Sequence, residues 1–128
     1  MSVLAICENV FEVGAAHPDR ELFDCLMPTP HGTTYNSYLV VGTEKTALID
    51  AVDPQKINVL LQNLKDAGVQ KIDYLISLHT EQDHTGGNEA ILRRFPMAKI
   101  IVNAKVRELS LTHLHQADEA MTVVNEGD

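Results

Sequence analysis

The stretch HTEQDHTGG, residues 79–87, sets two imidazoles and two carboxylates within six positions, directly after the apolar run IDYLISL. Imidazole nitrogen and carboxylate oxygen are ligands for zinc, manganese and non-haem iron. His79 and Glu81 stand one residue apart, so on an extended exit from a strand both side chains project to the same side and could share an ion. Asp83 and His84 then need a bend, which Thr85-Gly86-Gly87 permits, to bring a second pair toward a neighbouring ion. The motif has no thiolate, and an all-nitrogen and oxygen set with two carboxylates shifts the expectation from structural zinc toward iron or manganese. For any one of the four residues alone, a solvated loop at a strand end, or a cap for a helix at Asn88, is the better reading. The four together, at the carboxyl end of an apolar strand where α/β sites gather, favour metal binding.

The surrounding elements must hold that loop. VLAICENVFEVGAA has two β-prone runs around Glu8-Asn9 and predicts an initial hairpin. Residues 17–33 carry three of the five prolines and predict a structured loop, a length more often functional than idle. TYNSYLVVG and KTALID, separated by Gly42-Thr43-Glu44, predict a second hairpin ending at Asp50. Asp53-Pro54 supplies a cap and a first-turn proline, and Ile57, Leu60, Leu61, Leu64 and Ala67 follow helical spacing until Gly68. KIDYLISL is a buried strand, NEAILRRF a short helix ended by Pro96, and AKIIVN another strand. Asn103 caps a helix through roughly Leu114, and EAMTVV is a strand before the turn signal NEGD. Strands alternating with helices predict an α/β, or α+β layered, fold in which a mixed sheet is covered by helices.

The chain has 128 residues, 45% hydrophobic and 22% charged, which fits one globular domain. With 18 acidic and 10 basic side chains its formal net charge is -8, which disfavours a nucleic-acid partner. Cys7 and Cys25 have no CxxC spacing, and the N-terminus lacks a basic region or long apolar stretch, so the expected compartment is the cytoplasm, with no membrane association.

HTEQDH resembles the HxExDH signature of flavodiiron proteins (A-type flavoproteins), a branch of the metallo-β-lactamase superfamily in which glutamate replaces the usual second histidine. GTTYNSYLV at 32–40 and ALIDAVDP at 47–54 are similar to the segments that precede it in that family, so the resemblance runs from about Val10 to the final EGD. It implies a metallo-β-lactamase-like αββα sandwich, of which residues 1–128 are expected to form the N-terminal half. It implies that His79 and Glu81 ligate one iron and Asp83 and His84 the other, His84 being a ligand that does not always coordinate in the family. It implies reduction of dioxygen to water or of nitric oxide to nitrous oxide, with electrons from FMN on a C-terminal flavodoxin-like domain, a redox donor such as a rubredoxin-like protein, and a homo-oligomer. The family's further histidine, bridging aspartate and final histidine, and the flavodoxin-like domain, have no counterpart in this sequence, so the expected diiron site is incomplete and the chain alone inactive. A half-domain of this kind should expose an apolar sheet edge or face and dimerise or be weakly stable.

Other residues carry less. His113 and His115 in LTHLHQ, two apart on a helix, point about 200° from one another and do not chelate one ion. His31, and still more His17, read as polar loop residues. Asp53 is an N-cap; Asp50, closing an apolar strand, is either a plain strand end or a hydrogen-bond partner of a ligand imidazole. Tyr35 and Asn36 read as pins for their strand. Many family members have a tryptophan in the early loop, and AHPDREL has none, so the substrate pocket is expected to be lined differently. Two alternatives stay open: a metallo-β-lactamase-superfamily hydrolase using a metal-bound hydroxide, against which Glu81 argues, and a non-catalytic truncated module.

Overall fold

In the computed structural model, which describes residues 3–113 and 118–128, a seven-stranded mixed sheet organises the chain. Strands β1 (Leu4–Cys7) and β2 (Val10–Glu12) form the expected first hairpin, with Asn9 at φ 62° in the turn. β7 (Tyr38–Val41) and β8 (Thr46–Ile49) form the second, and β9 (Tyr74–Ile76), β10 (Lys99–Val102) and β11 (Met121–Val123) run parallel to β8. The order across the sheet is β1-β2-β7-β8-β9-β10-β11. Parallel neighbours need crossovers, and helices supply them: α1 (Ile57–Asp66) after β8, α2 (Gln82–Thr85) and α3 (Asn88–Arg94) after β9, α4 (Ala104–His113) after β10.

Helix α1 begins as its sequence predicts. A 3-10 turn at Pro54–Lys56 is capped by Asp53, whose Oδ1 accepts from Gln55 N at 2.9 Å, and the helix ends before Gly68, whose φ of 74° suits glycine. Asn103 caps α4 by accepting from Val106 N at 2.8 Å. The backbone of His113 belongs to α4, whereas His115 lies outside the described residues.

Register sets the core. Phe11, Leu39, Leu48, Leu75, Ile100 and Met121 face one another across six strands. On that face they pack with Leu60 and Leu64 of α1, Ile91 of α3 and Val106 of α4. Since side chains alternate along a strand, Tyr38, Val40, Ile49, Tyr74, Ile76 and Ile101 point to the other face. They remain half-buried and lie outside the core cluster of the described residues. β1 is exposed along its whole length, with Leu4 and Ile6 both in solvent. Among the described residues the helices pack on one face; the opposite apolar face is half-buried, and the β1 edge is exposed.

Three elements depart from expectation. TYNSYLVVG is not one strand: β6 (Thr33–Tyr35) pairs with β3 (Ala15–His17) in a separate two-stranded sheet, and the chain turns into β7 at Asn36-Ser37. The cause is a close crossing, because a Cβ on Gly14 would lie 2.2 Å from Tyr35 O, and Asn63 in α1 ties the passing strand by donating to Val13 O and Gly14 O. Residues 17–33 are not all loop either; β4 (Leu22–Phe23) and β5 (Met27–Pro28) make a small hairpin with positive φ at Asp24 and Cys25 in its turn. KIDYLISL keeps only three residues as strand, since Asp73 turns its carboxylate to Thr46 N and Lys71 while Leu78 leaves the sheet toward solvent.

Candidate metal centre

The carboxyl ends of β8 and β9 bring Asp50 against the 78–87 loop. Asp50 adopts φ 59° and is buried; its backbone oxygen accepts from Ser37 Oγ at 2.8 Å and its N–H donates to Ile76 O at 2.9 Å. With the backbone locked in that conformation, the carboxylate turns to the loop. Oδ1 accepts from Leu78 N at 2.8 Å, and Oδ2 lies 2.8 Å from His84 Nδ1. Asp50 is thus more than a plain strand end: it is the hydrogen-bond partner of the His84 imidazole.

Asp83 and His84 do not reach the site through a glycine bend. They lie on α2, a single helical turn that starts after an extended Glu81 (φ -65°, ψ 152°). Thr85 Oγ1 donates back to Thr80 O and Glu81 O, which closes the turn. The glycines serve close packing, not left-handed backbone: Gly86 has φ -60° and Gly87 φ -89°. A Cβ on Gly86 would lie 2.3 Å from Pro54 Cδ, and one on Gly87 would lie 2.5 Å from both Ala51 O and Ile57 Cδ1. Ala51 N donates to His84 O at 2.6 Å, and Gly87 N to Ala51 O at 2.8 Å. The Asp50–Pro54 segment is therefore a mould into which the loop is pressed.

The four motif side chains form two neighbouring pairs. His79 Nε2 stands 3.4 Å from Glu81 Oε1, both largely in solvent, and His84 Nε2 stands 3.5 Å from Asp83 Oδ2 in a more protected position. The His79 and His84 rings meet edge-on with centroids 5.2 Å apart. Among the described residues no group of three His, Cys, Asp or Glu side chains is arranged to hold an ion by itself.

The donor set nevertheless suits a cation. Asp83 Oδ1 is buried without a hydrogen-bond donor, and burial pushes the carboxyl above the usual carboxylate range. A desolvated carboxylate oxygen with no proton donor is costly unless a positive charge faces it. The Asp50 carboxylate engages Nδ1 of His84, which leaves Nε2 as the ring nitrogen turned toward Asp83 and available to face a metal.

The remaining candidates fall away from the cluster. His31 and Asn36 are exposed. His17 is buried, with Nδ1 2.9 Å from the Tyr35 hydroxyl; burial lowers its pKa and raises that of Tyr35, so both pin β3 to β6. Sequence reasoning did not foresee Arg20, which is drawn inside to pair with Asp53 at 3.1 Å. An arginine within a proline-rich loop carries no periodicity to reveal such a partner.

The sequence matches the Metallo-beta-lactamase superfamily over residues 32–123. The chain belongs to that superfamily. Within it, proteins of the kind that HTEQDH suggested are among the chain's relatives. The chain is 36% identical over 104 residues to flavo-diiron protein FprA2 of Clostridium acetobutylicum, covering 80% of this chain and 26% of that one. It is 35% identical over 128 residues to a nitric oxide reductase of Moorella thermoacetica, covering 97% and 31%. The solved structure of rubredoxin oxygen:oxidoreductase from Desulfovibrio gigas superposes with a TM-score of 0.89 at 32% identity, over 99% of this chain and 32% of that one. The chain thus spans about a quarter to a third of the length of the curated relatives it matches. The mixed sheet with helices is the superfamily's fold, as expected. No helix among the described residues is long and apolar enough to cross a membrane.

Proposed function

We propose that the chain contributes one part of the diiron domain of a flavodiiron oxidoreductase, with His79 and Glu81 donating to one iron and Asp83 and His84 to the other. The observation that carries the reading is the Asp50-oriented His84 beside the buried, unpartnered Asp83 Oδ1. Names of relatives as flavo-diiron protein and nitric oxide reductase support it. Two donors for each ion leave coordination unfilled, so further ligands come from outside the 79–87 loop. When bound, the two irons supply one-electron redox chemistry and a place for a diatomic ligand between them.

The chain's own residues do the preparing. Asp50 holds the His84 tautomer. Glu81 and Asp83 bring negative charge that offsets two dications, and the burial of Asp83 keeps water from competing for its oxygen. On this reading the complete protein reduces dioxygen to water or nitric oxide to nitrous oxide. The electrons would come from FMN held on a flavodoxin-like domain and be replenished by a rubredoxin-like protein or similar donor, and the assembly would be a cytoplasmic homo-oligomer.

Anaerobic titration of the purified chain with Fe(II), followed by metal analysis, tests the proposal. Retained iron that Asp83→Ala and His84→Ala abolish supports it. Retention of zinc alone, with turnover of phosphoester or β-lactam substrates, would overturn it in favour of the hydrolase.

A further inference from the structure

Arg20 is a charged side chain drawn almost wholly inside, 11% exposed, and it ties two parts of the chain that sequence keeps far apart. Its Nη1 donates to Asp53 Oδ2 at 3.1 Å, and its Nε donates to Leu22 O at 2.7 Å. The guanidinium also lies over the Phe23 ring, 5.9 Å from the centroid. On one side, then, Arg20 holds the β4–β5 hairpin, whose stem closes around it through Thr29 Oγ1 to Arg20 O and Thr29 N to Glu21 O at 2.9 Å. On the other side it holds Asp53, 2% exposed, whose second oxygen caps the turn into α1.

Asp53 belongs to the mould of the metal loop. Pro54 packs on Gly86, Ala51 exchanges hydrogen bonds with His84 and Gly87, and Asp50 orients the His84 ring. We propose that Arg20 is a positioning residue for the candidate metal centre: by fixing the Asp50–Pro54 segment to the β4–β5 hairpin, it sets His84 without touching it. A planar fork with donors diverging toward a carboxylate and a carbonyl does this; a lysine, one compact charge, does not replace both contacts. The competing explanation is that Arg20 only neutralises a buried Asp53. The metal consequence rests on the function proposed above, whereas the mechanical coupling does not.

The test separates the two explanations. Arg20→Gln leaves a buried carboxylate without its counter-ion and lowers stability on either account. The double variant Arg20→Gln with Asp53→Asn removes both charges, so global stability recovers if neutralisation is the whole role. Amide hydrogen exchange, read by NMR on the metal-free chain, compares Ala51, Leu78 and Gly87 with Leu75 and Ile100 in mid-sheet. Positioning predicts that the double variant loses about tenfold or more of the protection at the first three, with the sheet amides unchanged. Recovery of all five together, or wild-type protection of the loop amides in both variants, overturns the proposal. A Mn(II) titration is expected to show about a tenfold weaker first binding event in the double variant. Wild-type affinity there would also overturn the positioning role. Failure of the wild-type chain to bind Mn(II) or Fe(II) would count against the metal reading, and the exchange result would still decide the coupling.

Discussion

Asp83 and His84 sit in a cradle of backbone hydrogen bonds, whereas His79 and Glu81, a few residues earlier in the same loop, each keep 53% of their side chain in solvent. One half of the motif is organised by the chain before any ion arrives. If the proposed ion binds, it would have to order the other half, at about 0.5–1.5 kcal/mol for each flexible side chain immobilised. On the diiron reading proposed above, the first ion is expected at the Asp83–His84 side, and the second would have to pay for order the fold has not supplied.

Gly87→Ala attacks the cradle where the loop presses on the Ala51 backbone. Its Cβ would meet the Ala51 carbonyl at 2.5 Å, an oxygen that cannot retreat without giving up the Gly87 N–H. A loss of about 3 kcal/mol in urea unfolding is expected; a loss below about 1 kcal/mol would mean a soft cradle and erase the contrast. Asp50→Ala strips the acceptor from Leu78 N and the partner from His84 Nδ1. It should cost about 2 kcal/mol and weaken the first metal-binding event about 10–100-fold by titration calorimetry.

His79→Ala and Glu81→Ala should leave stability within about 0.5 kcal/mol of wild type and abolish only the second binding event. Loss of the first event in either variant would show that the exposed pair is no late partner. The smallest effect lies at the opposite end of β9. There Lys71, with Thr46 N–H and Lys45, holds the Asp73 carboxyl at about 2. A carboxyl depressed below its unfolded value contributes stability that is fully present above roughly pH 4. That contribution disappears as pH falls through about 2. Asp73→Asn should flatten this part of the acid limb in thermal melts and leave the loop's amide exchange unchanged.

The sequence disclosed what depends on local rules. Asp53-Pro54 announced a helix start, Gly68 its end, and the alternation of apolar strands and helices a layered fold. HTEQDH disclosed the candidate donors because their types and spacing are themselves the signal. What stayed hidden depends on distant encounters. The break at Asn36-Ser37 is set by Gly14 passing Tyr35, more than twenty residues away in sequence (positions 14 and 35). Gly86 and Gly87 looked like a bend because glycine permits one; their smallness serves Pro54, Ala51 and Ile57 instead. Arg20 was invisible because a single cation in a loop does not name its carboxylate.

The half-covered sheet has a calorimetric consequence. Closing both faces of a globular domain of 128 residues gives an unfolding heat-capacity increment of roughly 1.5–1.9 kcal/mol/K. Here the row of Tyr38, Ile49, Ile76 and Ile101 is already partly hydrated in the folded state. Unfolding this chain therefore adds less newly wetted hydrocarbon than its length suggests, and its stability curve is expected to be a flatter arch. Whatever covers that face would raise the arch and sharpen its curvature together.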